Sequence, residues 1–184
     1  MIFKNTIVNI TQVTEGKLFA SPEFKDNEIQ QIITDSRTFF GGNNTLFFAL
    51  IGPRNDGHRY IAELIKKGIN SFVVSDKKYI SEKATFILVE NTTKALQKLA
   101  EHHRKRFDYP VIGITGSNGK TIVKEWLFEL LSSEFKIVRS PKSYNSQIGV
   151  PLSVLLMEGH FNLGIFEAGI SQPGEMQHLE KIVQ

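Results

Sequence analysis

The sequence predicts an α/β protein in two parts: a small N-terminal α/β domain, then the start of a parallel-sheet domain built around a phosphate loop. Three observations predict it. Short apolar runs alternate with segments of helical periodicity along the chain, the pattern of a parallel α/β sheet. Residues 110–125, PVIGITGSNGKTIVKE, read as a strand, a glycine loop and a helix. Between the two parts, Phe107-Asp108-Tyr109-Pro110 interrupts the helical pattern, because proline disfavours helix in the residue before it. The expected domains are therefore residues 1–107 and 108–184.

In the first part, Ile29 to Thr34 reads as a strand that delivers Asp35-Ser36-Arg37 into a turn. Leu46 to Leu50 is a buried strand entered from a Gly41-Gly42-Asn43-Asn44 turn. Gly57 to Lys67 follows as a helix with Tyr60, Ile61, Leu64 and Ile65 on one face, closed by Gly68. Ser71 to Ser75 and Thr85 to Val89 are two more short strands. Thr92 to Arg106 is an amphipathic helix whose apolar stripe is Ala95, Leu96, Leu99, Ala100 and His103. Its basic end, residues 102–106, reads as a solvated terminus complementing the helix dipole rather than as a nucleic-acid surface.

The second part opens with Val111 to Thr115, an apolar run suited to a buried parallel strand. After the glycine loop, Ile122, Val123, Trp126, Leu127, Leu130 and Leu131 form a wide apolar helix face expected to pack on the sheet. A strand is expected near Lys136 to Arg139, and a helix from about Ile148 to Met157, with Pro151 tolerated in its first turn. Leu163 to Ala168 is the next strand, and a further helix begins near Gly174. Three strands leave the centre of such a sheet uncovered on one side, so the chain is expected to be a fragment of a longer protein.

The loop Gly116-Ser117-Asn118-Gly119 can wrap an anion with backbone N–H groups at the positive end of a helix. Gly116 and Gly119 let the backbone approach phosphate oxygens without a Cβ in the way. Lys120 can reach the β/γ-phosphates, and the Thr121 hydroxyl can take a Mg²⁺ position. The spacing is the tight G-x-x-G-K-T rather than G-x-x-x-x-G-K-[ST], since Ile114 stands where the first glycine of the longer pattern belongs. An ordinary strand-to-helix turn is the bland alternative; the flanking strand and helix favour the anion site. Glu167, at the carboxyl end of its strand, lies where α/β sheets bind ligands, and one carboxylate plus phosphates can hold Mg²⁺. A surface glutamate at a strand end is its bland alternative.

Bulk properties fit an ordinary globular enzyme. The 184 residues are 41% hydrophobic and 22% charged, enough to bury a core. No apolar run approaches the ~20 residues of a membrane span, and the N-terminus lacks the features of a signal peptide. The absence of cysteine excludes disulfides, thiolate metal sites and a cysteine nucleophile. A cytoplasmic location fits best. The net charge of +3 suits anionic substrates such as nucleotides without indicating nucleic acid. His102, His103, His160 and His178 show no metal spacing.

Four segments in order resemble the Mur ligases, the amide-bond-forming enzymes of bacterial cell-wall precursor synthesis. They are TGSNGKTIVKEW at the phosphate loop; DSR at 35–37 with GGNNTLFFALIGPRNDGHRYI at 41–61; NSQIGVPLSVLL at 145–156; and FEAGISQPGEM at 166–176. The resemblance covers nearly the whole chain. It implies a first domain that binds UDP-MurNAc-peptide and a second that is the first part of the family's ATP-binding domain. It assigns ATP contacts to Gly116, Ser117, Asn118, Gly119, Lys120, Thr121 and Asn145, catalytic roles to Lys120 and Glu167, and metal contacts to Thr121 and Glu167. Ser36, Arg37, Asn55, Asp56, Gly57 and His58 become the UDP-substrate candidates, since hydroxyl, amide and guanidinium groups suit uracil edges and a pyrophosphate. For His58 a helix-start histidine that satisfies a backbone group is the alternative, and Asp35 is expected to orient its loop.

Within the family, Lys124-Glu125 resembles the ligase that uses ATP and Mg²⁺ to join D-alanyl-D-alanine to UDP-MurNAc-tripeptide. The alternatives are the ligase that adds the third amino acid and a non-catalytic P-loop nucleotide-binding module. Ser146-Gln147 departs from the second asparagine pair common in the family. The wording SPKSYNSQIGVPLSV resembles ligases fused to an alanine racemase, and pyridoxal phosphate would enter only with such a domain. Alone, the 184 residues are expected not to ligate.

Overall fold

The computed structural model describes residues 4–20, 27–39, 41, 42, 44–53, 55–170 and 172–184. Asn43 of the expected glycine-asparagine turn lies outside them, as do Arg54 and Ser171 of the family-like segments. The chain divides into two compact units, Met1–Leu96 and Gln97–Gln184.

The first unit begins with elements that carry no strong sequence signal. They are strand β1 (Asn5–Thr6), helix α1 (Ile7–Val13) and strand β2 (Lys17–Phe19). Thr6 caps α1 by accepting from the Asn9 N–H, and Ile7 and Ile10 bury the helix's inner face. The expected strand at 29–34 is split into β3 (Glu28–Ile29), antiparallel to β1, and β4 (Gln31–Ile33). Next come β5 (Thr45–Phe48), helix α2 (Ile61–Lys66), β6 (Ser71–Val74), β7 (Thr85–Leu88) and helix α3 (Thr92–Arg104). The division between the units falls inside α3, ahead of the expected break at Phe107–Pro110.

The main sheet has the order β2-β7-β6-β5-β4, parallel except for β2. Every residue of β5 and β6 is buried, as a strand covered on both faces requires. Phe47 meets Phe72 edge-to-face at 6.2 Å, Phe72 stacks on Phe86 at 5.3 Å, and all three pack with Ile61 and Leu64 of α2. Loops after β4, β5 and β6 each enter a short 3₁₀ turn capped by an aspartate: Asp35, Asp56 and Asp76 accept from the N–H two residues on. All three leave the carboxyl ends of parallel strands.

The second unit holds β8 (Val111–Ile114), α4 (Lys120–Leu131), β9 (Ile137–Arg139), α5 (Gly149–Val154), β10 (Leu163–Glu167) and α6 (Glu175–Val183). Its sheet is parallel with the order β8-β10-β9, so β10 is central and buried throughout. The expected apolar face of α4 needs correction. Leu127 and Leu131 pack against Ile114, Leu163 and Ile165, but Ile122, Val123, Trp126 and Leu130 are exposed. The buried side instead carries Lys124, which finds anionic and carbonyl partners inside. Hydrophobicity alone mis-orients such a helix, because a lysine can take the inner position where other elements supply partners for its charge and its donors.

The basic end of α3 is also only partly solvated. His103 is buried, Arg104 donates to the carbonyls of Phe107 and Val183, and Lys105 pairs with Glu101. Burial holds the His103 imidazole down to about 4, although its Nε2 contact with the Met157 carbonyl at 3.0 Å acts the other way. An unfolded histidine titrates near ~6.5, so between that pH and about 4 the unfolded chain takes up a proton that the folded chain refuses. Stability is therefore full above ~6.5 and falls as the pH drops towards 4, by on the order of 3 kcal/mol. Urea unfolding followed by circular dichroism should show this slope in the wild type and a flatter one in His103→Gln.

Candidate functional site

Backbone geometry accounts for both glycines of the loop before α4. Gly116 has φ of 140° and Gly119, the residue before α4, has φ of 79°. Both are left-handed conformations that a Cβ strains. The loop's residues 115–119 are exposed at the carboxyl edge of the sheet. Lys120 opens α4 and donates from Nζ to the Gly116 carbonyl at 2.6 Å, folded over its own loop.

Thr121 and Glu167 come together although 46 residues separate them. The Thr121 hydroxyl donates to Glu167 Oε2 at 3.1 Å, and the Asn145 amide approaches the same oxygen at 3.5 Å. Glu167 has no solvent-accessible surface, so it is not a surface glutamate at a strand end. Its backbone N–H donates to the Ser140 hydroxyl at 3.1 Å, and the Gly169 N–H donates to the Asn145 carbonyl at 2.7 Å. Hydroxyl, carboxylate and amide oxygens are hard donors suited to Mg²⁺. Among the described residues no group of three His, Asp or Glu side chains gathers for a metal, so a cation here would also need phosphate oxygens and water.

One residue of this cluster carried only a family signature in the sequence. Lys124 is fully buried, 3.1 Å from Glu167 Oε1 but without hydrogen-bond alignment to it, and donates to the carbonyls of Ser140 and Lys142. The usable signal was its spacing. Residue 124 lies one helical turn beyond Lys120 and Thr121 and so faces the same way. Glu125, beside it, pairs with both Lys124 and Arg139, and the hydrogen bond from Lys124 holds its carboxyl below the usual range.

The departure at Ser146-Gln147 has a structural account. The Ser146 hydroxyl accepts from the Gly149 N–H at 3.1 Å at the start of α5. Gln147 accepts from Gln97 and donates to the Glu175 carbonyl, tying α3 to α6 within the second unit.

In the first unit, Ser36 and Arg37 occupy the turn after β4, and Asn55, Asp56 and Gly57 the turn after the adjacent strand β5. Asp35 grips Arg37 through its backbone and guanidinium, leaving the side chain exposed, and these bonds lower the Asp35 carboxyl. His58 is different. Its ring is buried, Nδ1 lies 2.6 Å from Asp56 Oδ1, and Nε2 accepts from the Ser75 N–H at 3.0 Å. Both nitrogens are engaged, so His58 ties the turn to the end of β6 rather than presenting a ligand donor. Burial alone would raise the Asp56 carboxyl, but the hydrogen bonds from His58 outweigh it and lower it. A Cβ on Gly57 would lie 2.9 Å from the Leu50 nitrogen, which is why glycine stands there.

Residues 28–104 match the model described as Mur ligase family, catalytic domain, and residues 114–184 match Mur ligase middle domain. The chain belongs to the Mur ligase family. It is 32% identical over 183 residues to the UDP-N-acetylmuramoyl-tripeptide–D-alanyl-D-alanine ligase of Bacillus subtilis, an alignment covering 98% of this chain and 39% of that one. The ligase of the same name from Borreliella burgdorferi is 35% identical, with 99% and 38% covered. Among solved structures, MurF from Acinetobacter baumannii superimposes with a TM-score of 0.88 at 29% identity, over 100% of this chain and 40% of that one. MurF from Thermotoga maritima in complex with ADP gives 0.72 at 33% identity, over 83% and 35%. The chain thus spans about 40% of the length of these Mur ligases.

The family-like glycine before Val150 is sterically fixed. A Cβ on Gly149 would fall 2.7 Å from the Tyr144 carbonyl carbon, beside Asn145. Gly149→Ala should cost ~1–3 kcal/mol, readable by urea unfolding.

Proposed function

We propose that this chain supplies the nucleotide-binding and UDP-substrate-binding parts of an ATP-dependent ligase that joins D-alanyl-D-alanine to UDP-MurNAc-tripeptide. The single observation that carries it is the convergence of Lys120, Thr121, Asn145 and Glu167 on one open glycine loop, in a chain whose relatives bear that activity in their names. Residues 1–107 would hold the UDP portion, with Ser36, Arg37, Asn55, Asp56 and Gly57 at the sheet edge, and residues 108–184 would begin the ATP domain. The substrates and the chain's own chemistry suit the cytoplasm, and among the described residues no helix is long and apolar enough to cross a membrane.

The reaction couples two transfers. The terminal carboxylate oxygen of the tripeptide attacks the γ-phosphorus of ATP, and ADP leaves. The amine of D-alanyl-D-alanine then attacks the acyl carbon; phosphate departs with the bonding pair, and the amine gives up a proton as the amide forms. Phosphoryl transfer needs positioning and charge neutralisation above all. The loop N–H groups and the helix terminus cradle the phosphates, and Lys120 moves from the Gly116 carbonyl onto the transferring group. Asn145 and the Thr121 hydroxyl fix the position of Glu167 Oε2. Mg²⁺, held by Thr121 and Glu167, would neutralise phosphate charge.

The intact protein with ATP, Mg²⁺, UDP-MurNAc-tripeptide and D-alanyl-D-alanine should release phosphate in step with UDP-MurNAc-pentapeptide, detected by mass spectrometry. Phosphate release without the pentapeptide, or dependence on a single free amino acid in place of the dipeptide, would refute the reading. Lys120→Ala and Glu167→Ala should each lower turnover at least ~10²-fold, the cost of losing one preorganised electrostatic group. UDP-substrate binding, measured by calorimetry, should be unchanged in both.

A further inference from the structure

Lys124 takes no part in the phosphate chemistry described so far, yet its geometry divides the metal carboxylate in two. Glu167 Oε1 faces the Lys124 ammonium at 3.1 Å. Oε2 faces the Thr121 hydroxyl and the Asn145 amide, on the side of the loop. Lys124 is held in this place, because its ammonium donates to the carbonyls of Ser140 at 2.8 Å and Lys142 at 2.5 Å. The Lys142 carbonyl is aimed there by a left-handed backbone, φ 49°, unusual for a residue with a Cβ. Glu125 also touches the ammonium at 3.0 Å, but Arg139 pairs with Glu125, so two cations balance two carboxylates.

We propose that Lys124 is a positioning residue that makes Glu167 a one-oxygen ligand: the ammonium occupies Oε1 and compensates the charge, so a divalent cation is held at Oε2 only together with the nucleotide's phosphates. The proposal rests on the reading of Glu167 as the metal carboxylate. With Oε1 covered, the carboxylate cannot chelate. With its charge balanced and an ammonium close behind it, it attracts a bare divalent cation weakly, since repulsion from the lysine opposes attraction by the glutamate. A nucleotide's phosphates restore the negative charge the cation needs. A purely structural ion pair makes the opposite prediction: removing Lys124 would loosen the site and weaken every ligand.

Mn²⁺ binding, read from the electron paramagnetic resonance signal of the free ion with and without ADP, tests the proposal on the purified protein. The wild type should take up Mn²⁺ with ADP and at least ~10-fold more weakly without it. Equal uptake of Mn²⁺ alone would overturn the proposal, whatever the variants do. Lys124→Met leaves the Glu167 charge uncompensated and should bind Mn²⁺ without ADP at least ~10-fold more tightly than the wild type; unchanged or weaker binding overturns it. Lys124→Arg keeps the charge, but its planar fork engages both carboxylate oxygens and should weaken Mn²⁺–ADP binding at least ~10-fold. If the methionine variant does not fold by circular dichroism, wild-type-like Mn²⁺–ADP binding by Lys124→Arg overturns the proposal. Failure of the wild type to take up Mn²⁺ with ADP would instead refute the nucleotide-site reading.

Discussion

Lys124 and Glu167 face each other with no solvent-accessible surface on either side chain, and the second unit is organised around that contact. A buried pair of this kind contributes little net stability, because desolvating two ions cancels most of their attraction. Its consequence is constraint. Lys124 belongs to α4, Glu167 to the end of β10, and Ser140 to the end of β9, so the three elements cannot slide independently without stranding a charge. The loop carrying Asn145 is drawn into the same arrangement through the Lys142 carbonyl and the Gly169 N–H. Glycine loop, carboxylate and amide are therefore set at fixed distances by the fold itself. The phosphoryl transfer proposed for this site would need preorganisation of that sort, since a misplacement of ~1 Å can cost ~10²-fold in rate.

The first unit reaches a similar end with aspartate-capped turns. Asp35, Asp56 and Asp76 satisfy the N–H groups of three successive turns from within, which frees neighbouring side chains to face outward at the carboxyl edge of the sheet. His58 then works as a buried strut, with Asp56 on one nitrogen and the Ser75 N–H on the other, stacked against Tyr79 at 4.9 Å. The D-G-H segment thus shapes the turn: glycine admits the close backbone approach, aspartate caps, histidine braces.

Much of this was legible in the residues themselves. Consecutive apolar runs such as 46–48 and 163–166 specify strands covered on both faces, because only those leave no place for polar residues. The glycines at 116 and 119 specify the loop, because their φ values are closed to other residues. Asp35 specifies its own turn through bonds two residues long. These are local constraints, and local sequence carries them. The exceptions among short-range features are β1, α1 and β2, whose two to seven residues are too short for periodicity to register.

What only the tertiary structure decided is which side of α4 turns inward and what Lys124 does there. Periodicity favours the apolar side, with Trp126 and Leu130, yet both are exposed while the lysine is buried. Its partners come from residues 140, 142 and 167, distant in sequence and brought near by the parallel crossovers. The same holds for His58, whose second nitrogen is engaged by Ser75, and for His103, whose neutral state follows from burial that outweighs the opposing contact with the Met157 carbonyl. A polar side chain's burial depends on partners supplied by other elements, and a sequence read in its own order names the side chain without naming those partners.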